Sequence, residues 1–145
     1  MRNHIDREQS ERISSFALQN ISTIKGYTSM EQNKNQLRED ALTFALNVSE
    51  LCENIKGCSV YTNQLMRSSS SIGANLFEAK YAQSRLDFIS KFEIALKESS
   101  ESEYWLEFLY RKDKIAEDDY IRLKHNCGSI RRRLIVSVTT AKKNQ

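Results

Sequence analysis

At 145 residues, with no proline and only four glycines, the chain is sized for one domain, and little in it forces a turn or stops a helix. That composition argues against a many-stranded sheet, which needs frequent turn residues, and the lack of any apolar run of about 18 residues argues against a membrane span. The formal net charge of +3 conceals an asymmetry: residues 1–119 carry 15 basic and 19 acidic side chains, whereas residues 120–145 carry seven basic and none acidic.

The N-terminal run MRNHIDREQSERISS has no apolar core of a secretory signal, so a cytoplasmic location is expected, with no membrane partner. Ile13, Phe16, Ala17, Ile21 and Ile24 recur at helical spacing, and Gly26 is placed to end that helix. The polar run SMEQNKNQ reads as a linker. Residues 1–34 are therefore expected to be an extension with one short helix, and residues 35–145 the main domain.

A strong helix is predicted from Asn35, as cap, to Ile55. Leu37, Ala41, Phe44, Ala45, Val48, Leu51, Cys52 and Ile55 form its stripe, and Gly57 supplies a left-handed stop. The second helix, Val60–Ala82, contains RSSSSIGANLFEA, which at first sight resembles a linker. Yet Tyr61, Leu65, Ser68, Ser69, Ile72, Leu76 and Ala79 share one face, so the serines take core-side positions. There their hydroxyls can bond back to carbonyls one turn earlier. A phosphate-binding loop would need more glycines, a preceding strand and a lysine.

The third helix spans Ser84–Arg111, capped by Ser84, with Phe88, Phe92, Ala95, Ser99, Leu106 and Tyr110 facing the core. Ile94, Trp105 and Phe108 point elsewhere. After the turn RKDKIAEDD, a fourth helix starts at about Glu117, with acids in its first turn and Lys142–Lys143 at its end, as the helix dipole prefers. Its seam is Tyr120, Leu123, Cys127, Ile130, Leu134, Val138 and Ala141, again with a spare set, Ile121, Ile135 and Val136. Four such helices predict an all-α, antiparallel up-and-down four-helix bundle with an N-terminal helical extension. The six spare apolar residues on helices three and four are the expected oligomer interface.

With the helices placed, QLMRSSSSIGANLFEA (residues 64–79) and SRLDFISKFEIALKESSESEYWLEFL (residues 84–109) resemble the 23S rRNA intervening-sequence protein family. Gln64, Leu65, Arg67, Ser68, Ser71, Ala74, Asn75, Phe88, Lys91, Glu98, Glu101, Tyr104, Trp105, Leu106 and Glu107 match the family pattern. Glu78-Ala79 departs from the Glu-Gly pair of many members. The resemblance runs from about Leu37 onward and implies a bacterial homo-oligomeric bundle, typically a pentamer. A related accessory protein works with a reverse transcriptase and nucleic acid. The resemblance supplies no catalytic residues.

Arg122, Lys124, Arg131, Arg132, Arg133, Lys142 and Lys143 make helix four the candidate nucleic-acid-binding element, RNA being the expected ligand. The competing reading has these cations paired with Glu98, Glu101 and Glu107 of a neighbour. No catalytic residues, metal site or cofactor are expected. The glutamates of helix three lack accompanying histidines, His125 and Cys127 point about 200° apart, and the three cysteines have no metal-binding spacing. The sequence thus predicts a non-enzymatic, homo-oligomeric accessory protein that binds nucleic acid. The alternative is a scaffold that binds a protein partner through its apolar stripes.

Overall fold

The computed structural model describes residues 2–143. Four helices, α1 (Arg2–Glu53), α2 (Ser59–Ala79), α3 (Arg85–Arg111) and α4 (Glu117–Lys143), account for nearly all of them, and no strand occurs among the described residues. Contacts divide the chain into two compact units, Met1–Gln36 and Leu37–Gln145.

The first unit is helical throughout its described length, which corrects two expectations. Gly26 does not end the helix and SMEQNKNQ is not a linker. Its polar residues include Glu31, Gln32, Lys34 and Gln36, straight-chain side chains that lose little rotamer freedom in a helix. One glycine costs only about 1 kcal/mol there. Asn35 accordingly sits mid-helix rather than at a cap.

In the second unit, the C-terminal part of α1 joins α2, α3 and α4 in a four-helix bundle. Leu37, Ala41, Phe44 and Val48 of α1 meet Leu65, Ile72 and Leu76 of α2, Phe92, Ala95, Leu106 and Leu109 of α3, and Leu123, Ile130 and Leu134 of α4 in one core. The stripe on α3 is rotated slightly from the expected one: Ile89 and Leu109 are buried, while Phe88 and Tyr110 are half-buried. Ser84 caps α3 by accepting the Asp87 N–H at 3.1 Å. Gly57, at φ 75°, makes the left-handed turn after α1.

The serine-rich segment is buried helix. Ser68 of α2 lies against Ser102 of α3, and both, with Ser69 and Ser99, are at most 1% exposed. Ser68 donates to the Leu65 carbonyl at 3.2 Å. Ser102 Oγ stands 2.9 Å from both Ser68 Oγ and the Glu98 carbonyl, and its one proton serves both acceptors. Every polar atom on this seam is satisfied locally, so small side chains let α2 and α3 approach without an unpaired group.

Arg38 is buried too and ties α1 to α2, its Nε donating to the Leu76 carbonyl at 3.2 Å. Cys52, Cys58 and Cys127 are all buried free thiols. Burial pushes the Cys52 thiol up to about 11 and that of Cys127 up to about 12. They pack as small hydrophobes.

Candidate functional site

Helix α4 owes its seam to the 3–4 spacing of Tyr120, Leu123, Cys127, Ile130, Leu134 and Val138, all buried. That seam fixes where the seven cations point, and the structure sorts them into two groups. Lys124, Arg131 and Lys142 flank the seam on the α3 side. Lys124 Nζ lies 3.3 Å from Glu107, Arg131 Nε 3.3 Å from Glu103, and Lys142 Nζ 2.5 Å from Glu93. Arg133 flanks it on the other side and pairs with Asp40 of α1. Arg122 pairs with Asp119, one turn earlier on α4, at 2.8 Å. Arg132 and Lys143 are exposed and form no ion pair among the described residues.

Five of the seven cations are therefore matched by carboxylates of the same chain, and the partners are not Glu98 or Glu101. The Arg131–Glu103 contact is ionic without a hydrogen bond, since the buried Arg131 Nε has no acceptor in line. Such half-exposed pairs contribute little stability individually. Their main effect is to hold the flanks of α4 near neutral while its outer face stays basic.

Glu107 is the centre of the most connected polar group. It accepts from the Tyr120 hydroxyl, from Arg111 Nε at 2.7 Å and from Lys124 Nζ. Tyr120 also stacks on Tyr110 at 4.2 Å between ring centroids. These donors, Tyr120 first, hold the Glu107 carboxyl down at about 2, against an ordinary 4.5. A carboxylate with a depressed folded-state pKa adds stability that is full above its unfolded value and is lost as pH falls through the folded one. The melting-temperature difference between the native chain and Glu107→Gln is thus expected to be constant above about pH 5 and to vanish near pH 2. Thermal melts across that range check it.

The six expected interface residues do not form one continuous surface. Trp105 and Phe108 join Tyr61 and Tyr104 in an aromatic cluster on the outer side of α2 and α3. Centroid distances are 4.6 Å for Tyr61–Phe108 and 4.9 Å for Tyr104–Trp105. Lys112 Nζ caps the cluster, 5.8 Å from the Tyr61 ring and 5.7 Å from that of Phe108. Ile94 lies on the same stripe of α3 and is 39% exposed. Ile121, Ile135 and Val136 of α4 are more exposed still, but Ile121 stands about 21 Å along the helix from Ile135.

The polar residues shared with the family pattern prove to be mutual partners. Arg67 of α2 reaches Glu98 at 3.3 Å and also pairs with Glu101, both on α3. Trp105 Nε1 donates to the same Glu101 carboxylate at 3.2 Å. Its hydrogen bond to Arg67 leads the causes that hold the Glu101 carboxyl below the usual range. This Arg67–Glu98–Glu101–Trp105 group locks α2 to α3 and fixes the tryptophan ring in the aromatic cluster.

A shallow groove between α1 and α2 was not foreseen. It is lined by Ala45, Ser49, Asn63, Met66, Arg67 and Ser70, and Leu42 and Leu46 are exposed on the same side of α1. Among the described residues no cluster of histidine, cysteine and carboxylate side chains could hold a metal ion.

Residues 33–136 match the model of the 23S rRNA-intervening sequence protein family. Among solved structures, a protein of unknown function from the S23 ribosomal protein family of Bacteroides thetaiotaomicron VPI-5482 is 40% identical. The match covers 70% of this chain and 97% of that one, with a TM-score of 0.68. No curated protein matches the chain.

Proposed function

We propose that this chain, which belongs to the 23S rRNA-intervening sequence protein family, is a self-assembling accessory protein that binds nucleic acid through the outer face of α4, with RNA as the expected ligand. The observation that carries this reading is the outer face itself. Arg132 and Lys143 form no ion pair there among the described residues, and no acidic residue occurs from Tyr120 onward. Arg122 adds a third, half-exposed cation. One chain offers few phosphate contacts, so useful affinity requires repetition of the patch. A ring of copies, five by the family resemblance, provides it. In this reading the protein positions nucleic acid and performs no catalysis.

The aromatic cluster, exposed on a side other than the basic face of α4, supports a ring. A cyclic assembly joins two different surfaces of each subunit, head to tail. The aromatic cluster on α2 and α3, away from the basic outer face of α4, is one such surface. Replacing Trp105 with arginine is expected to reduce the particle mass in light scattering, while Trp105→Phe, which keeps the ring, preserves it. An unchanged mass for Trp105→Arg removes the aromatic cluster from the contact.

The nucleic-acid reading is tested separately. Binding of single-stranded RNA is measured across a salt series for the native chain, for the Arg132→Gln/Lys143→Gln double variant, and for Arg131→Gln. Each lost phosphate contact lowers the salt slope by about 0.7. The double variant is expected to bind at least about tenfold more weakly at low salt, with a shallower slope. Arg131→Gln, whose cation is already matched by Glu103, is expected to lose less. Equal affinity of the double variant and the native chain overturns the reading. It would favour instead a protein ligand in the groove between α1 and α2, where Leu42 and Leu46 stand exposed.

A further inference from the structure

The described residues of the first unit present an exposed apolar surface. Phe16, Ile21, Ile24, Tyr27 and Met30 are between 49% and 77% exposed. At about 100° per residue these five, with Ala17, fall within an arc of about 180°. The opposite arc holds Ser15, Ser22 and Ser29, which recur every seven residues, together with Gln19 and Gly26, and one apolar residue, the exposed Leu18. From Ser14 to Met30 the only charged side chain is Lys25.

Three features narrow down what covers the apolar arc. An arc of half the circumference is wider than the two-in-seven seam of a paired coiled coil, so one partner helix leaves much of it wet. The polar arc carries almost no charge, so the partner need not be charged either. Thr23 and Thr28, which fall inside the apolar arc, donate their hydroxyls to the Gln19 and Ile24 backbone carbonyls of their own helix at 2.9 Å each. They therefore need no water or external partner, and their methyl groups join the apolar surface. Asn20 is the one interruption and favours a shallow seat, at a depth where water and headgroups remain within reach.

We propose that residues 14–30 of α1 are a lipid-surface anchor: an amphipathic helix that lies in the plane of a bilayer with its apolar arc among the acyl chains. Helices with bulky apolar residues opposite small uncharged ones bind by filling gaps between lipids, and that binding depends on curvature rather than on anionic headgroups. The sequence leads to the expectation of no membrane partner, but the absence of a long apolar run argues only against a helix that crosses the bilayer. No described helix is long and apolar enough to do so; a helix lying flat needs neither property. The stretch matched to the family begins at residue 33, so the anchor is an addition to the shared bundle. It would carry the assembly, and whatever α4 binds, to a membrane surface.

Flotation of the full chain with neutral phosphatidylcholine vesicles tests the proposal. The protein is expected to float with small vesicles, about 30 nm across, and much less with large ones, because tight curvature opens the lipid surface. Phe16→Glu/Ile24→Glu is expected to lose binding at least about tenfold, with an unchanged thermal melt of the bundle, while Ile24→Leu still floats. No flotation of the native chain, or equal flotation of the double variant, overturns the proposal. So does a result in which neutral vesicles fail and only anionic ones bind, since the basic face of α4 would then be responsible. A double variant of lower mass, from a native chain that does not float, assigns the arc to a second copy and also overturns it. None of these outcomes depends on whether the chain binds RNA.

Discussion

Leu106→Ala is expected to destabilise the bundle by about 2–5 kcal/mol and to lower its melting temperature by roughly 10 °C or more. Leu106 has no exposed surface and stands on the core face of α3. Truncation removes the transfer free energy of three carbons and leaves a cavity that helices clamped by neighbouring contacts cannot close. The next residue back behaves differently. Trp105 is only half-buried, so its replacement by arginine is expected to act on assembly more than on folding of a single chain. Urea melts of both variants, paired with light scattering, separate the two effects. Should Leu106→Ala melt within about 1 kcal/mol of the native chain, the core assignment of α3 fails.

Ser102→Leu is the second large effect expected. The site is fully buried between α2 and α3, and its hydroxyl lies 2.9 Å from Ser68 Oγ. Leucine needs space that exists only if the two helices separate, and overpacking of this kind costs about 1–3 kcal/mol. Separation would also loosen the contacts of Arg67 with Glu98 and Glu101, which span the same two helices. Ser102→Ala fits the space and forfeits the hydroxyl's contacts with Ser68 and the Glu98 carbonyl, at about 0.5–1.5 kcal/mol each. The ordering, alanine tolerated and leucine not, distinguishes a seam that needs small side chains from one that needs only the hydroxyls. Denaturant unfolding of the pair measures it.

The bundle was largely legible in the sequence because helix periodicity is a local property. The buried positions of Ser68 and Ser69, the Ser84 cap and the Gly57 turn all follow from spacing within a few residues. Where local composition misled, the cause was also local. SMEQNKNQ is polar, but several of its residues are good helix formers, and polarity alone does not break a helix.

The candidate site was less legible because it depends on neighbours distant in the chain. Spacing shows that Arg131 and Arg133 leave the seam of α4 on opposite flanks. It does not show that Glu103 and Asp40, on two other helices, wait there. Of the seven cations expected to contact nucleic acid, four meet carboxylates on other helices for this reason, while Arg122 meets Asp119 on α4 itself. Tyr61 was read as a core-face residue of α2, and only the packing of α2 on α3 reveals it as one side of an aromatic cluster.

The three sequestered thiols have a practical consequence. With Cys52 and Cys127 held protonated by burial at neutral pH and Cys58 also enclosed, the folded chain presents no ready nucleophile to an alkylating reagent. Labelling must wait for the helices to part, so its rate in an excess of reagent becomes a clock for the opening of the bundle. Native cysteines thereby serve as built-in reporters of breathing motions, with no label engineered into the surface.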